Sequence, residues 1–242
     1  MNRFFADERG VQDGVAYLSS EDSRHALRVL RLDVGDELEL VCASRRYVAS
    51  IEDAGEDGVR VRVREELACT EPRTQVTLYQ GLPKAEKMEW IVQKATELGA
   101  CAVQGVAMER CVVKLDGRDA EKKAERWQKI AREAVKQCGR SAVPDVLPAI
   151  PFSQALERMK RHERLLMPYE NGGMAFGAPI AERDVALLIG PEGGISPEEA
   201  EAVRGIGGTA VTLGSRILRT ETAGLVALTL TLHCAGDLGG MA

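Results

Sequence analysis

The chain has 242 residues, of which 45% are hydrophobic and 29% charged. That is enough apolar material for one or two packed domains and excludes a disordered chain. Its longest apolar stretches, Val185–Ile189 and Ala223–Leu232, fall far short of the roughly 20 residues that span a bilayer, and the charged opening MNRFFADERG has no apolar signal region, so a cytoplasmic protein with no membrane partner is expected.

Charge is uneven. Residues 1–70 carry 10 Lys/Arg against 15 Asp/Glu, whereas residues 84–140 carry 13 against 9. A basic region on a protein of net charge −5 can still form a phosphate-binding face. The six cysteines form no C-x-x-C pair and the three histidines lie far apart. Reduced thiols and no metal centre are expected.

The first part of the chain reads as short strands. DELELVCA and RYVASIED alternate, and GVRVRVREE puts Val59, Val61 and Val63 on one side and Arg60, Arg62 and Arg64 on the other. SSEDSRHALRVLRL is helical in pattern, with Ala26, Leu27 and Leu30 on one face. A small β-barrel with one helix is expected over residues 1–71, and the Pro72 of CTEPRT marks a boundary to a second domain, 72–242.

From Gln75 onward strands alternate with helices. QVTLYQG, CAVQGVAM, RLLMPYE, DVALLIG and GTAVTLG read as strands. LPKAEKMEWIVQKATELG is a helix with Met88, Ile91, Val92, Ala95 and Leu98 inward, closed by Gly99. DAEKKAERWQKIAREAVKQCG is a longer one, with Trp127, Ile130, Ala131, Ala134, Val135 and Cys138 inward. FSQALERMKR, SPEEAEAVRGIG and TETAGLVALTLTLHC complete the helices, the last with Thr220 as its expected N-cap. The fold class is α/β, with a mostly parallel sheet covered on both faces.

IGPEGGISPEE, Ile189–Glu199, joins a strand to a helix. Ser196 as N-cap, Pro197 at N1 and Glu199 at N3 spell a capping box, which leaves Gly190–Gly194 as the turn. The turn is neither a Walker A loop nor G-x-G-x-x-G. Acidic residues at the helix start would repel phosphate, so it suits a ligand that is cationic or a neutral adenosine. LGSRILRTETAG, Leu213–Gly224, also follows an apolar strand and enters a helix, and LLMPYE, Leu165–Glu170, is a third strand end with polar residues. In α/β sheets ligands sit at the carboxyl ends of strands. Leu166, Ile195, Leu213, Ile217 and Leu218 are the expected apolar walls.

LIGPEGGIS and LGSRILRTETA resemble the two C-terminal motifs of the SPOUT superfamily of S-adenosylmethionine-dependent RNA methyltransferases. MNRFF, HALRVLRLDVGD, LPKAEKMEWIVQKATELGA, ERCVVK and RWQKIAREAVKQCGRSAVP, in that order, resemble one family within it, the ribosomal RNA small subunit methyltransferase E family. Ser215 stands where that family commonly has Pro, and Cys138 where Ser is frequent. The resemblance implies a PUA-like N-terminal RNA-binding barrel, a SPOUT domain with a trefoil knot, a homodimer, and methylation of a uridine N3 in 16S rRNA, with the assembled small subunit as the expected substrate. Dimerisation is compatible with the apolar Ala223–Cys234 segment.

By that resemblance the cofactor residues are Leu166, Met167, Pro168, Ile189, Gly190, Pro191, Gly193, Gly194, Ile195, Leu213, Gly214, Ile217, Leu218 and Thr222. Deprotonation of N3 spreads charge over the uracil, so Arg219 is the expected anion stabiliser, and Glu192 or Glu221 the proton acceptor. Arg3, Arg28, Arg31, Lys84, Arg110, Lys114 and Arg140 are the expected RNA contacts, with Phe4, Phe5 or Tyr169 stacking on a flipped base. The competing readings are an RNA-binding module without catalysis, a SPOUT enzyme acting on another RNA, and a nucleotide-binding α/β enzyme of a different class. Absence of a phosphate-binding lysine loop counts against the last.

Overall fold

In the computed structural model, residues 1–55, 58–113 and 117–239 are described. They form two compact units. The first takes Met1–Glu71 together with Val135–Val143, and the second Pro72–Ala134 together with Pro144–Ala242.

The first unit contains β1 (Arg3–Phe5), β2 (Val15–Tyr17), α1 (Ser20–Arg24), β3 (Glu37–Cys42), β4 (Arg45–Gly55) and β5 (Gly58–Leu67). The sheet order is β1-β3-β4-β5-β2, with only β1 and β3 parallel. A bridge between Ala6 and Leu18 joins the two edge strands, supported by the Asp7 N–H donating to Tyr17 O at 2.8 Å and Ser19 N–H to Phe5 O at 3.0 Å. The sheet therefore closes on itself as a small barrel, which leaves no open edge. Val59 and Val61 point into a core with Phe4, Leu18, Leu38, Leu40 and Ile51, as the alternation predicts.

The helix after β2 departs from its expected pattern. After α1 the chain runs on as a π-helical turn, His25–Val29. The wider turn rotates the register, so Ala26 is buried, Leu27 half-buried, and Leu30 turned out to solvent beside exposed Arg28, Val29 and Arg31.

Two carboxylates organise the polar interior of this unit. Glu39 accepts both Nη2 contacts of Arg3 at 2.7 and 2.8 Å and Nε of Arg46 at 2.5 Å. Arg3 Nη1 also donates to the carbonyls of Val135 and Arg140. Glu71 accepts Arg140 Nε at 2.9 Å and Nη2 at 2.5 Å, and the backbone N–H groups of Ser141 and Ala142 at 2.7 and 3.0 Å. Burial opposes the charge on Glu39 and on Glu71, but the arginine hydrogen bonds and charges outweigh it and hold both carboxyls below their ordinary value of 4.5.

The second unit contains β6 (Gln75–Gly81), α2 (Lys87–Leu98), β7 (Ala102–Ala107), α3 (Gly117–Cys138, whose last turn belongs to the first unit), β8 (Asp145–Pro151), α4 (Phe152–Met159), β9 (Arg164–Pro168), β10 (Met174–Ala175), β11 (Asp184–Ile189), α5 (Pro197–Gly205), β12 (Thr209–Thr212) and α6 (Thr220–Cys234). All seven strands are parallel, in the order β10-β12-β9-β11-β6-β7-β8. Val185–Ile189 of β11 is buried throughout, as a strand covered on both faces requires. Met159 of α4 and Ala200 and Val203 of α5 pack with Tyr79, Met167 and Leu188 on one face, while α2 and α6 pack on each other and α6 lies against β6 and β11 on the other. One polar chain runs from the core outward: Tyr79 Oη lies 3.0 Å from His162 Nε2, and His162 Nδ1 lies 2.6 Å from Asp184 Oδ1, whose side chain reaches solvent. Burial pushes the Tyr79 hydroxyl up to about 12, so it stays protonated.

Two strands escape the sequence pattern. β8 carries Pro148 and Pro151 and forms the sheet edge, where a missing N–H is tolerated. β10 has only two residues, too few for a period. The α2 helix begins at Lys87 rather than Leu82. Pro83–Glu86 form a turn instead, with Ala85 at φ 54°, because the Lys84 N–H donates to Glu192 rather than entering a helix.

The first unit's paired carboxylates generate a stability prediction. Glu71→Ala strips the buried Arg140 of its carboxylate and should cost about 3–5 kcal/mol, measured by urea unfolding. Because Glu71 has a depressed folded-state pKa, its contribution is present above pH 4.5 and is lost as the pH falls through the folded value. Glu71→Gln should therefore flatten the acid limb of the stability profile.

Candidate functional site

Sheet order places β12, β9 and β11 side by side and parallel. Their carboxyl ends, at Thr212, Pro168 and Ile189, therefore open on one edge, where α/β sheets bind ligands. The three loops expected from the sequence leave from these ends.

The turn after β11 is built for close backbone approach. A Cβ on Gly190 would sit 2.8 Å from Ile195 Cγ1 and 3.0 Å from Gly194 C, and one on Gly81 at the end of neighbouring β6 would sit 2.6 Å from Pro191 N. Gly194 donates its N–H to Pro191 O at 2.9 Å and has φ +73°, in the region glycine favours. A Cβ there would strike the Glu170 carboxylate. The expected capping box closes the turn: Ser196 Oγ accepts the Glu199 N–H, and Glu199 Oε2 accepts the Ser196 N–H at 3.1 Å. Glu199 Oε1 also accepts the Glu109 N–H at 2.8 Å, tying in the loop after β7.

The start of α6 differs from its expected form. Arg219, not Thr220, is the N-cap residue, and it offers no capping side chain. Thr220 is turned inward. Its hydroxyl donates to Gly190 O at 2.6 Å and accepts from Gln80 Nε2 at 2.8 Å. Gln80 is fully buried, so this chain joins β6, the glycine turn and α6 through one hydroxyl.

Charge is arranged around the same loops. Glu192, at the tip of the turn, accepts the Lys84 N–H at 3.1 Å and Lys87 Nζ at 2.9 Å. Lys87 Nζ also lies 3.3 Å from Glu221 Oε2, in the first turn of α6. Burial works against the Glu192 charge, but the hydrogen bonds from Lys87 and from backbone N–H groups hold its carboxyl below the ordinary value. Glu192 in turn raises the Lys87 ammonium above its own. Glu221 thus faces Lys87, while the exposed guanidinium of neighbouring Arg219 makes no ion pair among the described residues.

The expected site residues fall into two groups. Ile189, Gly190, Pro191, Gly193, Gly194, Leu213, Gly214, Leu218, Arg219, Glu221, Thr222 and Pro168 lie on or beside the three strand ends. Leu166, Met167 and Ile195 are buried, the last two inside the core of that face. Of the expected walls, Leu213 and Leu218 are half-buried and Ile217 is 89% exposed.

The expected RNA contacts separate as well. Lys84 and Arg110 flank the glycine turn, Arg110 donating to Gly193 O at 3.1 Å. Arg28 and Arg31 are exposed on the first unit. Arg3 and Arg140 are committed to the Glu39 and Glu71 carboxylates of that unit, Arg140 being 6% exposed, and Lys114 lies outside the described residues. Phe4 and Tyr169 are buried and Phe5 is half-buried. Among the described residues no group of three or more His, Cys, Asp or Glu could hold a metal ion, and no helix is long and apolar enough to cross a membrane.

Sequence reasoning missed Lys87, Gln80 and Glu199's second role. Lys87 sits in the same KAEK stretch as Lys84. Its two partners, Glu192 and Glu221, lie in separate strand-end loops more than a hundred residues further along the chain, so nothing local marked it.

Residues 70–232 of the chain match the RNA methyltransferase domain model, and residues 18–64 match the RNA methyltransferase PUA domain model. A Bacillus subtilis (strain 168) ribosomal RNA small subunit methyltransferase E is 36% identical, over 94% of each chain. The protein of that name from Mycobacterium bovis is 32% identical over 93% of this chain and 88% of its own. The crystal structure of a ribosomal RNA small subunit methyltransferase E from Neisseria gonorrhoeae, bound to S-adenosyl methionine, superposes with a TM-score of 0.82 at 33% identity, covering 94% of this chain and 95% of that one. The chain belongs to the ribosomal RNA small subunit methyltransferase E family.

The Thr220 hydroxyl carries a prediction. Thr220→Val keeps the shape but leaves Gly190 O and one Gln80 bond unmade. It should cost about 1–3 kcal/mol, read as a fall in the thermal midpoint.

Proposed function

We propose that this protein is an enzyme that transfers a methyl group from S-adenosylmethionine to N3 of a uridine in 16S rRNA of the small ribosomal subunit. The observation that carries the reading is the glycine turn Gly190–Gly194, latched to the start of α6 at the carboxyl ends of three adjacent parallel strands, in a family with a member crystallised with S-adenosyl methionine bound. The residues fit that group. The turn offers backbone where a Cβ would collide and carries no phosphate-binding lysine loop, and the Glu192 carboxylate of the turn and the Glu221 carboxylate of α6 meet beside it at Lys87. When bound, S-adenosylmethionine supplies an electrophilic methyl group.

Ile189, Gly190, Pro191, Gly193 and Gly194 hold it from one loop, Leu213, Gly214, Ile217, Leu218 and Thr222 from a second, and Pro168 from the third, with Leu166, Met167 and Ile195 as the packed floor. Arg219 leads into α6 with its guanidinium unclaimed by Glu221, which supports a role in stabilising the negative charge that spreads over the uracil oxygens. The N3 proton passes to Glu192 or Glu221. Because N3 lies on the pairing edge, the base is taken unpaired. Arg28 and Arg31 on the PUA-like unit and Lys84 and Arg110 beside the turn contact RNA phosphates, and the assembled subunit is the substrate.

The chain crosses back after β12 so that α6 packs on β6 and β11, which supports knotted threading. The outward residues Leu225, Val226, Thr229 and Leu230 of α6 are only half-buried, which supports a homodimer about this helix. With rRNA as substrate, the protein acts in the cytoplasm.

Two variants test the reading. Gly194→Val forces a β-branched residue to φ +73° and into Glu170; calorimetry should find no S-adenosylmethionine binding, and unchanged affinity would remove the turn from the site. Arg219→Ala should lower single-turnover methylation of small subunits by about 10²–10³ with cofactor affinity nearly kept. Lysine should rescue only partly, lacking the planar two-donor fork. Near-normal activity of the alanine variant would move the search to Arg110.

A further inference from the structure

We infer that Lys87 is a positioning residue of this site: its ammonium holds the glycine turn and the start of α6 at a fixed separation by bridging Glu192 and Glu221. The inference rests on the reading of these loops as the methyl-transfer site. Three elements that are distant in sequence meet at one nitrogen. Lys87 is the first residue of α2, Glu192 is the tip of the turn after β11, and Glu221 is the second residue of α6. The Nζ is 2.9 Å from Glu192 Oε1 and 3.3 Å from Glu221 Oε2.

The Thr220–Gly190 bond already fixes the base of the turn to α6, but it acts at the strand end. Lys87 acts at the tip, where the backbone of Gly193 and Gly194 must meet a ligand. Two like charges gathered at one point repel, and the shared cation converts that repulsion into a tie. An exposed single ion pair contributes little. The bridge has both carboxylates mostly covered, with side-chain exposures of 28% and 16%, and it spans two loops that have to agree in position. The other charged and titratable groups around the turn and the start of α6 are Lys84 before α2, Arg110 and Cys111 from the loop after β7, Glu170 after β9, Glu199 from α5, and Arg219 beside Glu221. None of these joins the two carboxylates.

Lys87→Met and Lys87→Arg provide the test, each in the full chain. In the free protein, amide hydrogen exchange over 190–194 and 219–223 should accelerate in Lys87→Met and remain near wild type in Lys87→Arg. S-adenosylmethionine affinity at pH 8 should fall about tenfold in Lys87→Met, a coupling of ordinary size between two loops. That loss should shrink as the pH is lowered toward the carboxylate range, because one shared proton then relieves the repulsion between Glu192 and Glu221. Lys87→Arg should bind nearly as wild type. Unchanged affinity and exchange in Lys87→Met would overturn the inference, as would a loss that is independent of pH and not rescued by arginine. Wild-type protein that binds no S-adenosylmethionine would overturn the reading of the site itself; loss confined to the variant's affinity cannot arise that way.

Discussion

A single hydroxyl, that of Thr220, sets the geometry on which the rest of the site depends. It gives its proton to the carbonyl of Gly190 and takes one from Gln80. A carbonyl at the end of a buried strand must find a donor or lose roughly the full cost of burying it. Here the donor comes from a helix that begins after a different strand, β12. The constraint therefore fixes three things together: where β11 ends, where α6 begins, and how far the glycine turn can travel. Gln80 pays for part of this arrangement, since its Oε1 has no hydrogen-bond partner among the described residues although Gln80 is fully buried. That oxygen lies over Gly224, where a Cβ would come within 3.2 Å of it. A larger residue there would press on the amide that holds Thr220.

Charge divides the molecule's arginines and lysines into two physical classes. Arg3, Arg46 and Arg140 lie against carboxylates inside the first unit, where Arg3 and Arg140 each give two hydrogen bonds to one acid and Arg46 adds one. Arg28, Arg31 and Arg219 stand in solvent. The distinction follows from geometry, because guanidinium is planar and can satisfy a buried carboxylate from two nitrogens at once. Family position alone does not separate the classes.

Much of the fold was legible because its strands and helices have clean periods. The alternation of GVRVRV fixed which side of β5 is core, and the capping box of ISPEE fixed the first residue of α5. What was illegible lacked a period or was decided by a distant partner. β10 is two residues long, and β8 carries two prolines that only an edge tolerates. The α2 start was displaced by Glu192 taking the Lys84 N–H, an interaction across more than a hundred residues of chain. Thr220 looked like a cap because threonine at a helix start usually is one; a partner on another strand claimed its hydroxyl. In the site, the glycines and apolar strand ends could be read directly, whereas the pairing of Lys87 with two acids from separate loops had no local trace.

The membership of Val135–Val143 in the first unit has a consequence for synthesis. Arg3 finds the carbonyls of Val135 and Arg140, and Glu71 finds Arg140, Ser141 and Ala142, only in this late segment. Domains fold from the N-terminal end as the chain emerges. The barrel strands are therefore complete well before the partners of their charged groups exist. On a translating ribosome the first unit must wait, with Glu71 hydrated rather than bonded, while β6, α2, β7 and most of α3 are made. Its final closure is timed by the second unit's progress, so the two halves of the chain mature together rather than in succession.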